Sequence, residues 1–341
     1  MFRMPTLSSL HKRSYWMALA AALTFGSSSS AQDSTSWHPV DAQLEVGAST
    51  DYDGVQIFPI RSTTTRDVKE DVVTLKEALN QGTVTVVEQG EGEVSQLTVV
   101  NNGQKPVLLA VGDVVEGGRQ DRVIVSDLIV PPNKRPTPVA VHCVEQGRWT
   151  QGAQRIAFNY GGRGESALKK VLQMDSNQQA TWGAVASLNG TKGSQIQRLA
   201  ALSEAGETSA QGMYGNAQSS SLALSELQPA TGTYMASMTS SAIETHLTAY
   251  TEAMEPLLDE RQVVGIVIAL DGQLVAAEAY GDPRVFHSSA RDILRSVGLD
   301  ALSREIRPTS ASPVSTQQAA EFLQVALNQE ASSRTSHPTG T

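Results

Sequence analysis

The chain has 341 residues, 40% of them hydrophobic and 5% aromatic, with 26 Lys and Arg against 35 Asp and Glu and a formal net charge of −9. An acidic chain of this length can build one large or two ordinary domains and makes a poor partner for nucleic acid. Its single cysteine, Cys143, excludes an internal disulfide, so the fold must stand on its core.

At the N-terminus, His11, Lys12 and Arg13 precede an apolar stretch over 15–25 and a Ser-rich run ending at Ala31. Basic, then apolar, then small is the order of a secretory signal peptide over 1–31, cut before Gln32 and followed by a linker over 32–51. The mature chain is therefore expected in the periplasm or outside the cell. Losing Arg3, Lys12 and Arg13 but no acid moves the net charge from −9 to −12. The apolar stretch is too short for a permanent membrane span, and none is expected later.

Residues 54–60 predict a strand, and 73–80 a short helix capped by Thr74 or Asp71. Three β-rich runs follow at 83–88, 94–100 and 106–111, broken by Gly90-Glu91-Gly92 and by Asn102-Gly103. An Asn-Gly pair between apolar runs predicts a hairpin, and the whole an antiparallel meander. Runs at 122–130 and 137–145 flank a Pro-rich loop over 131–136 and predict a second hairpin, whose open end brings Arg122 near residues 145–148.

Beyond Trp149 the pattern turns helical, at 166–174, 181–188, 194–205 and 241–258. Between 203 and 241 Ser, Ala, Gly, Gln and Thr dominate, which predicts a flexible insertion. Runs at 263–270 and 273–280 around Asp271-Gly272 predict a hairpin with a positive-φ turn. Helices are expected at 283–296 and 322–327, the latter within a partly disordered tail over 301–341. The sum is a single α+β domain over 52–300, an antiparallel meander and hairpin sheet with packed helices.

Candidate chemistry concentrates at the open end of the second hairpin. Between 117 and 170 nine Lys and Arg stand against four acids, which suits a small anionic ligand. Arg122 and Arg148 can grip an anion, Glu116 and Gln120 can hydrogen-bond it, and Trp149 can wall the site. Asp121 and Glu145 are the candidate catalytic carboxylates, orienting hydroxyls or acting as general base. A structural network, with Asp121 or Glu145 pairing Arg122 or Arg148, accounts for the same residues, and the two readings stay open.

His142-Cys143 and Arg148 approach the cysteine-phosphatase loop, but only four residues separate Cys143 from Arg148, and Glu145 among them would repel phosphate. Cys143 reads instead as a small buried thiol. Tyr160-Gly161-Gly162-Arg163-Gly164-Glu165-Ser166, ahead of a helix, could offer amides to an anion yet matches neither the dinucleotide nor the Walker pattern. The histidines are scattered without ligand spacing, so no metal site is read, and no cofactor or protein partner is named.

Gly112-Asp113 through Gly118, Gln120-Asp121-Arg122 and Cys143-Val144-Glu145-x-Gly-Arg148-Trp149 resemble the ARPP-type domain family, over about 52–296. That family is named for its association with ADP-ribosylglycohydrolases and with rhodanese and phosphatase-superfamily proteins. The resemblance implies a connection to NAD or ADP-ribose metabolism, with Gln120, Asp121, Arg122, Glu145, Arg148 and Trp149 as the matching positions. The expected function is an exported domain that binds or processes a small phosphorylated or nucleotide-like, ADP-ribose-related ligand. The alternative is a non-enzymatic interaction module of the cell envelope.

Overall fold

The computed structural model describes residues 21–23, 44–63, 71–88, 94–146, 157–174, 177–204, 234–235, 238, 241–258, 260–303 and 312–336. Arg148, Trp149, nearly all of the expected leader over 1–31 and most of the expected insertion over 203–241 lie outside them.

The architecture is α+β, with three sheets and helices packed against them. The first sheet is built on β4 (Val55–Ser62), where residues 55–60 are all buried. A strand apolar on both faces must be covered on both. On one face Val55 and Ile57 join Phe286, Ile293 and Val297 of a long helix, α5 (Pro283–Leu302). On the other, Phe58 and Ile60 join Ala319, Phe322 and Leu323 of α6 (Thr316–Ser336). β4 pairs antiparallel with β14 (Val263–Leu270), β2 (Leu44–Val46) and β3 (Thr50–Tyr52). β14 returns as β15 (Gln273–Ala279), and β1 (Ala21–Leu23) runs parallel beside β15. At the β14–β15 turn Asp271 and Gly272 have φ of 47° and 73°, the paired positive values a tight hairpin requires.

In the second sheet the order is β13 (Asn159–Arg163), β9 (Asp113–Glu116), β10 (Arg122–Ile124), β12 (Pro136–Cys143), β7 (Gln96–Asn101) and β6 (Val84–Glu88). The third joins β11 (Leu128–Val130), β8 (Val107–Leu109) and β5 (Val73–Thr74). Here the expected meander is corrected twice. The run at 122–130 is broken where the Asp127 carboxylate accepts from Val111 N at 2.7 Å, so that β11 leaves its neighbour for β8. The 102–103 pair makes no β7–β8 hairpin: the Asn101 side chain accepts from Gly103 N and donates to the Lys105 and Val130 carbonyls, tying two sheets together. The open end of the hairpin survives, with Arg122 opposite Cys143.

Helix α1 (Leu75–Asn80) starts from a capping box between Thr74 and Glu77. α2 (Ser166–Met174) follows β13 directly. α3 (Gln178–Glu204) is continuous where two helices are expected, because Lys192, in the Gly-rich stretch between them, is buried in an ion pair with Glu165. α4 (Ser241–Met254) ends in a 3-10 turn at Glu255–Leu258. α5 runs past residue 296 because Val297, Leu299 and Leu302 are also buried. α6 begins at Thr316, after the Gln56 side-chain amide has gripped both backbone groups of Val314, so the packed fold continues beyond residue 300.

Candidate functional site

At the mouth of the β10–β12 hairpin the polar residues face the protein itself. Arg122 has no exposed surface. Its Nη1 donates to the Gln120 carbonyl at 2.8 Å, and its Nη2 lies 3.6 Å from a Glu88 carboxylate oxygen. The Gln120 side chain donates to the Glu145 carbonyl at 3.0 Å and accepts from Cys143 Sγ at 3.1 Å. Asp121 accepts from Gly117 N at 2.9 Å, and its own N–H donates to the Glu145 carboxylate at 3.3 Å. Gln120, Asp121, Arg122 and Glu145 are thus brought together and buried, whereas Glu116 is exposed. Burial pushes the Cys143 thiol up, the reverse of an activated nucleophile. None of these residues borders either cavity described next.

That cleft lies between α1, β13 and α5. The register of β13 on β9 slips between Tyr160 and Gly162, and Gly162 takes a φ of 129° that favours glycine. Such a bulge re-aims the strand. A cavity of about 220 Å³ is walled by Lys76 of α1, Tyr160 to Arg163 of β13, Asp292 and Arg295 of α5, and Leu247 of α4. A second void of about 10 Å³ shares Lys76, Tyr160, Arg163 and Asp292 and adds Asp113, Thr74 and Ser289.

Every charge here is held. Lys76 Nζ lies 3.0 and 2.8 Å from the two Asp292 oxygens. Arg163 donates to Asp113 Oδ1 at 3.0 Å and forms an ion pair with Glu278 through its other nitrogen. Lys169 and the Tyr280 hydroxyl donate to Glu278 at 2.8 and 2.6 Å. Asp113 also accepts from Ala110 N at 2.9 Å and from the Tyr160 hydroxyl at 3.4 Å. Arg295 makes two bonds to Glu244, at 2.7 and 2.8 Å, and one to the Met238 carbonyl.

Two carboxylates are driven apart by this setting. Burial pushes Asp113 up to about 6 despite the Arg163 guanidinium. Against the same burial, Arg163 and Lys169 pull Glu278 down to about 2. Burial first, with Asp113 beside it, raises the Tyr160 hydroxyl well above its ordinary value. Asp113 can therefore exchange a proton near neutral pH while Glu278 stays ionised, the separation that marks acid and base roles.

Behind the cleft, Glu165 accepts from Lys192 and Tyr234, each at 2.5 Å, and from Ser303 at 3.0 Å. The amide and hydroxyl of Ser166, at the start of α2, both donate to Asp300, which burial pushes up to about 7. The anion at this helix N-terminus is thus the protein's own carboxylate.

Sequence reasoning missed Lys76, Glu278, Asp292 and Arg295. They stand on three elements far apart in the chain, α1, β15 and α5, and only Asp292 and Arg295 share a local spacing. The available signals were Glu278 inside an apolar strand and the Gly pair at 161–162. Among the described residues no group of three or more His, Cys, Asp or Glu could hold a metal ion, and no helix is long and apolar enough to cross a membrane.

Compared with known proteins, residues 43–341 match one family, ARPP-1, the ARG and Rhodanese-Phosphatase-superfamily-associated Protein domain. No curated protein and no solved structure matches the chain.

Proposed function

The chain belongs to the ARG and Rhodanese-Phosphatase-superfamily-associated Protein domain family, and from that premise we propose that it binds and processes a small phosphorylated, nucleotide-like ligand related to ADP-ribose in the cleft between α1, β13 and α5. The observation that carries this reading is the cavity of about 220 Å³ whose wall combines Lys76, Arg163 and Arg295 with Tyr160 and Asp292. Lys76 gives two of its three N–H groups to Asp292, and Arg295 uses three of its five, so both retain donors for a phosphate. The volume suits a ribose phosphate portion of a ligand, since sites for larger molecules run from about 300 to 1,000 Å³.

On this reading Asp292 faces the sugar hydroxyls, Asp113 stands behind it at the adjoining small void, and the hairpin mouth is scaffold. Gln120, Asp121, Arg122 and Glu145 clamp the turn after β9, the strand that begins with Asp113. Arg148 and Trp149 belong to that mouth by sequence. The alternative, an interaction module whose polar clusters only hold the fold, draws on the same buried web around Arg122.

Calorimetric titration of the full chain with ADP-ribose separates the two. Binding weakened at least about tenfold by Lys76→Ala, with the melting temperature preserved, is the expected result. The absence of binding heat with ADP-ribose, NAD and ribose 5-phosphate alike would favour the interaction module.

Export is part of the proposal and rests on the basic, apolar and small order over residues 1–31. N-terminal sequencing of the exported chain should begin at Gln32. Such a cut removes β1 and leaves β15 as the edge of its sheet.

A further inference from the structure

The small void beside Asp113 has the size of one water and walls that combine polar groups with Leu108 and Ala110. At about 10 Å³ it has the volume a single water occupies, and Asp113, Tyr160, Lys76, Thr74, Ser289 and Asp292 border it. Four of its lining residues also wall the larger cavity, so its contents abut whatever that cavity holds.

We infer that this void seats a hydrolytic water with Asp113 as its general base, and that the domain hydrolyses a glycosidic bond in a phosphorylated ribosyl ligand held in the larger cavity. The inference rests on the cleft being the ligand site. A carboxylate offers about four acceptor positions. Arg163 and Tyr160 take two on Oδ1 of Asp113 and Ala110 N takes one on Oδ2, which leaves a position on Oδ2 for a water O–H. Arg163 is braced from behind by Glu278, itself held by Lys169 and Tyr280, so the base cannot swing away.

Charge selects the bond. Lys76 and Arg163, the cations at the seat, each already face a carboxylate. Among the described residues their charges are matched, so beyond the hydrogen bonds that hold a phosphate no surplus positive charge meets the negative charge that grows on phosphoryl oxygens during transfer. An anomeric carbon instead becomes positive as its bond breaks, and it would do so beside Asp113 and Asp292.

In the step, Asp113 takes one proton from the water while the water oxygen bonds to the anomeric carbon. The bond from that carbon to the leaving atom breaks, and its electron pair departs with the leaving group. An alkoxide leaving group, on the far face of the sugar, takes its proton from solvent, and Asp113 releases its own to solvent. A pyridinium leaving group is neutralised by the electron pair, and the proton passes to solvent.

NAD carries a glycosidic bond and a pyrophosphate in one molecule and is therefore the probe. Incubated with the full chain, it should yield nicotinamide and ADP-ribose, at a rate that rises through about pH 6, where Asp113 ionises. Asp113→Asn should slow turnover at least about 100-fold with NAD affinity kept. Ser289→Val fills the void without altering a charge and should do the same, which guards against a folding defect in the first variant. Nicotinamide mononucleotide and AMP as products would overturn the bond assignment. NAD binding without turnover, or full turnover in Ser289→Val, would overturn the water seat and leave the cleft standing as a binding site. No binding of NAD, ADP-ribose or ribose 5-phosphate would remove the cleft reading itself.

Discussion

Lys192 and Glu165 have no exposed side-chain surface, and their ion pair joins the middle of α3 to the junction of β13 and α2. A buried charge stripped of its partner is left without solvent or counterion, so Lys192→Met should cost about 3–5 kcal/mol in denaturant unfolding. A loss under about 1 kcal/mol would mean that Glu165 finds compensation in Tyr234 and Ser303 alone. Arg122 follows the same rule at the hairpin mouth. The chain marks Arg122, Asp121, Gln120 and Glu145 as residues that must partner something, and they do meet. Their partner Glu88 lies on β6, outside the polar clusters, and nothing local points to it.

Among elements, the local signals that proved legible are those whose chemistry is complete within a few residues. The Thr74 and Glu77 box starts α1, and Thr74→Ala should cost about 1 kcal/mol, seen as a lowered unfolding midpoint. Asp271-Gly272 turns β14 into β15 because its two positive φ values complete the turn within two residues. The Asn-Gly pair at 102–103 looks as strong in sequence, yet the neighbouring Asn101 amide reaches Val130 and spends the turn on joining sheets. The cleft was illegible for a related reason: its residues come from α1, β9, β13, β15 and α5, and only the tertiary fold assembles them. Gly265 shows how closely those elements pack. A Cβ there would meet the backbone of Glu278 and Ala279, so Gly265→Ala should cost about 1–3 kcal/mol and disturb the strand that carries the buried carboxylate.

For the whole molecule, buried acids of opposite behaviour set the pH window of stability. Asp113 and Asp300 titrate near 6 and 7 in the fold against an ordinary 3.8, so the stability they contribute is full below that value and is lost as pH rises through about 6 to 7. Glu278, held at about 2 against 4.5, contributes stability above 4.5 that is lost as pH falls through about 2. Greatest stability therefore falls near pH 4, between the ordinary values of 3.8 and 4.5, and declines as pH rises toward about 7. Melting followed by circular dichroism should give a midpoint at pH 5 above that at pH 8.5 by a few degrees, roughly 2–4 °C for each kcal/mol. A midpoint that climbs steadily to pH 8.5 would contradict those assignments.

The site's location is the central claim, and a crystal structure of the full chain soaked with ADP-ribose tests it most directly. The account predicts ligand density between Lys76, Tyr160, Asp292 and Arg295, with a sugar ring toward Asp113. Density at the hairpin mouth instead, against Gln120, Asp121 and Glu145, would contradict it and return the site to the residues singled out from sequence.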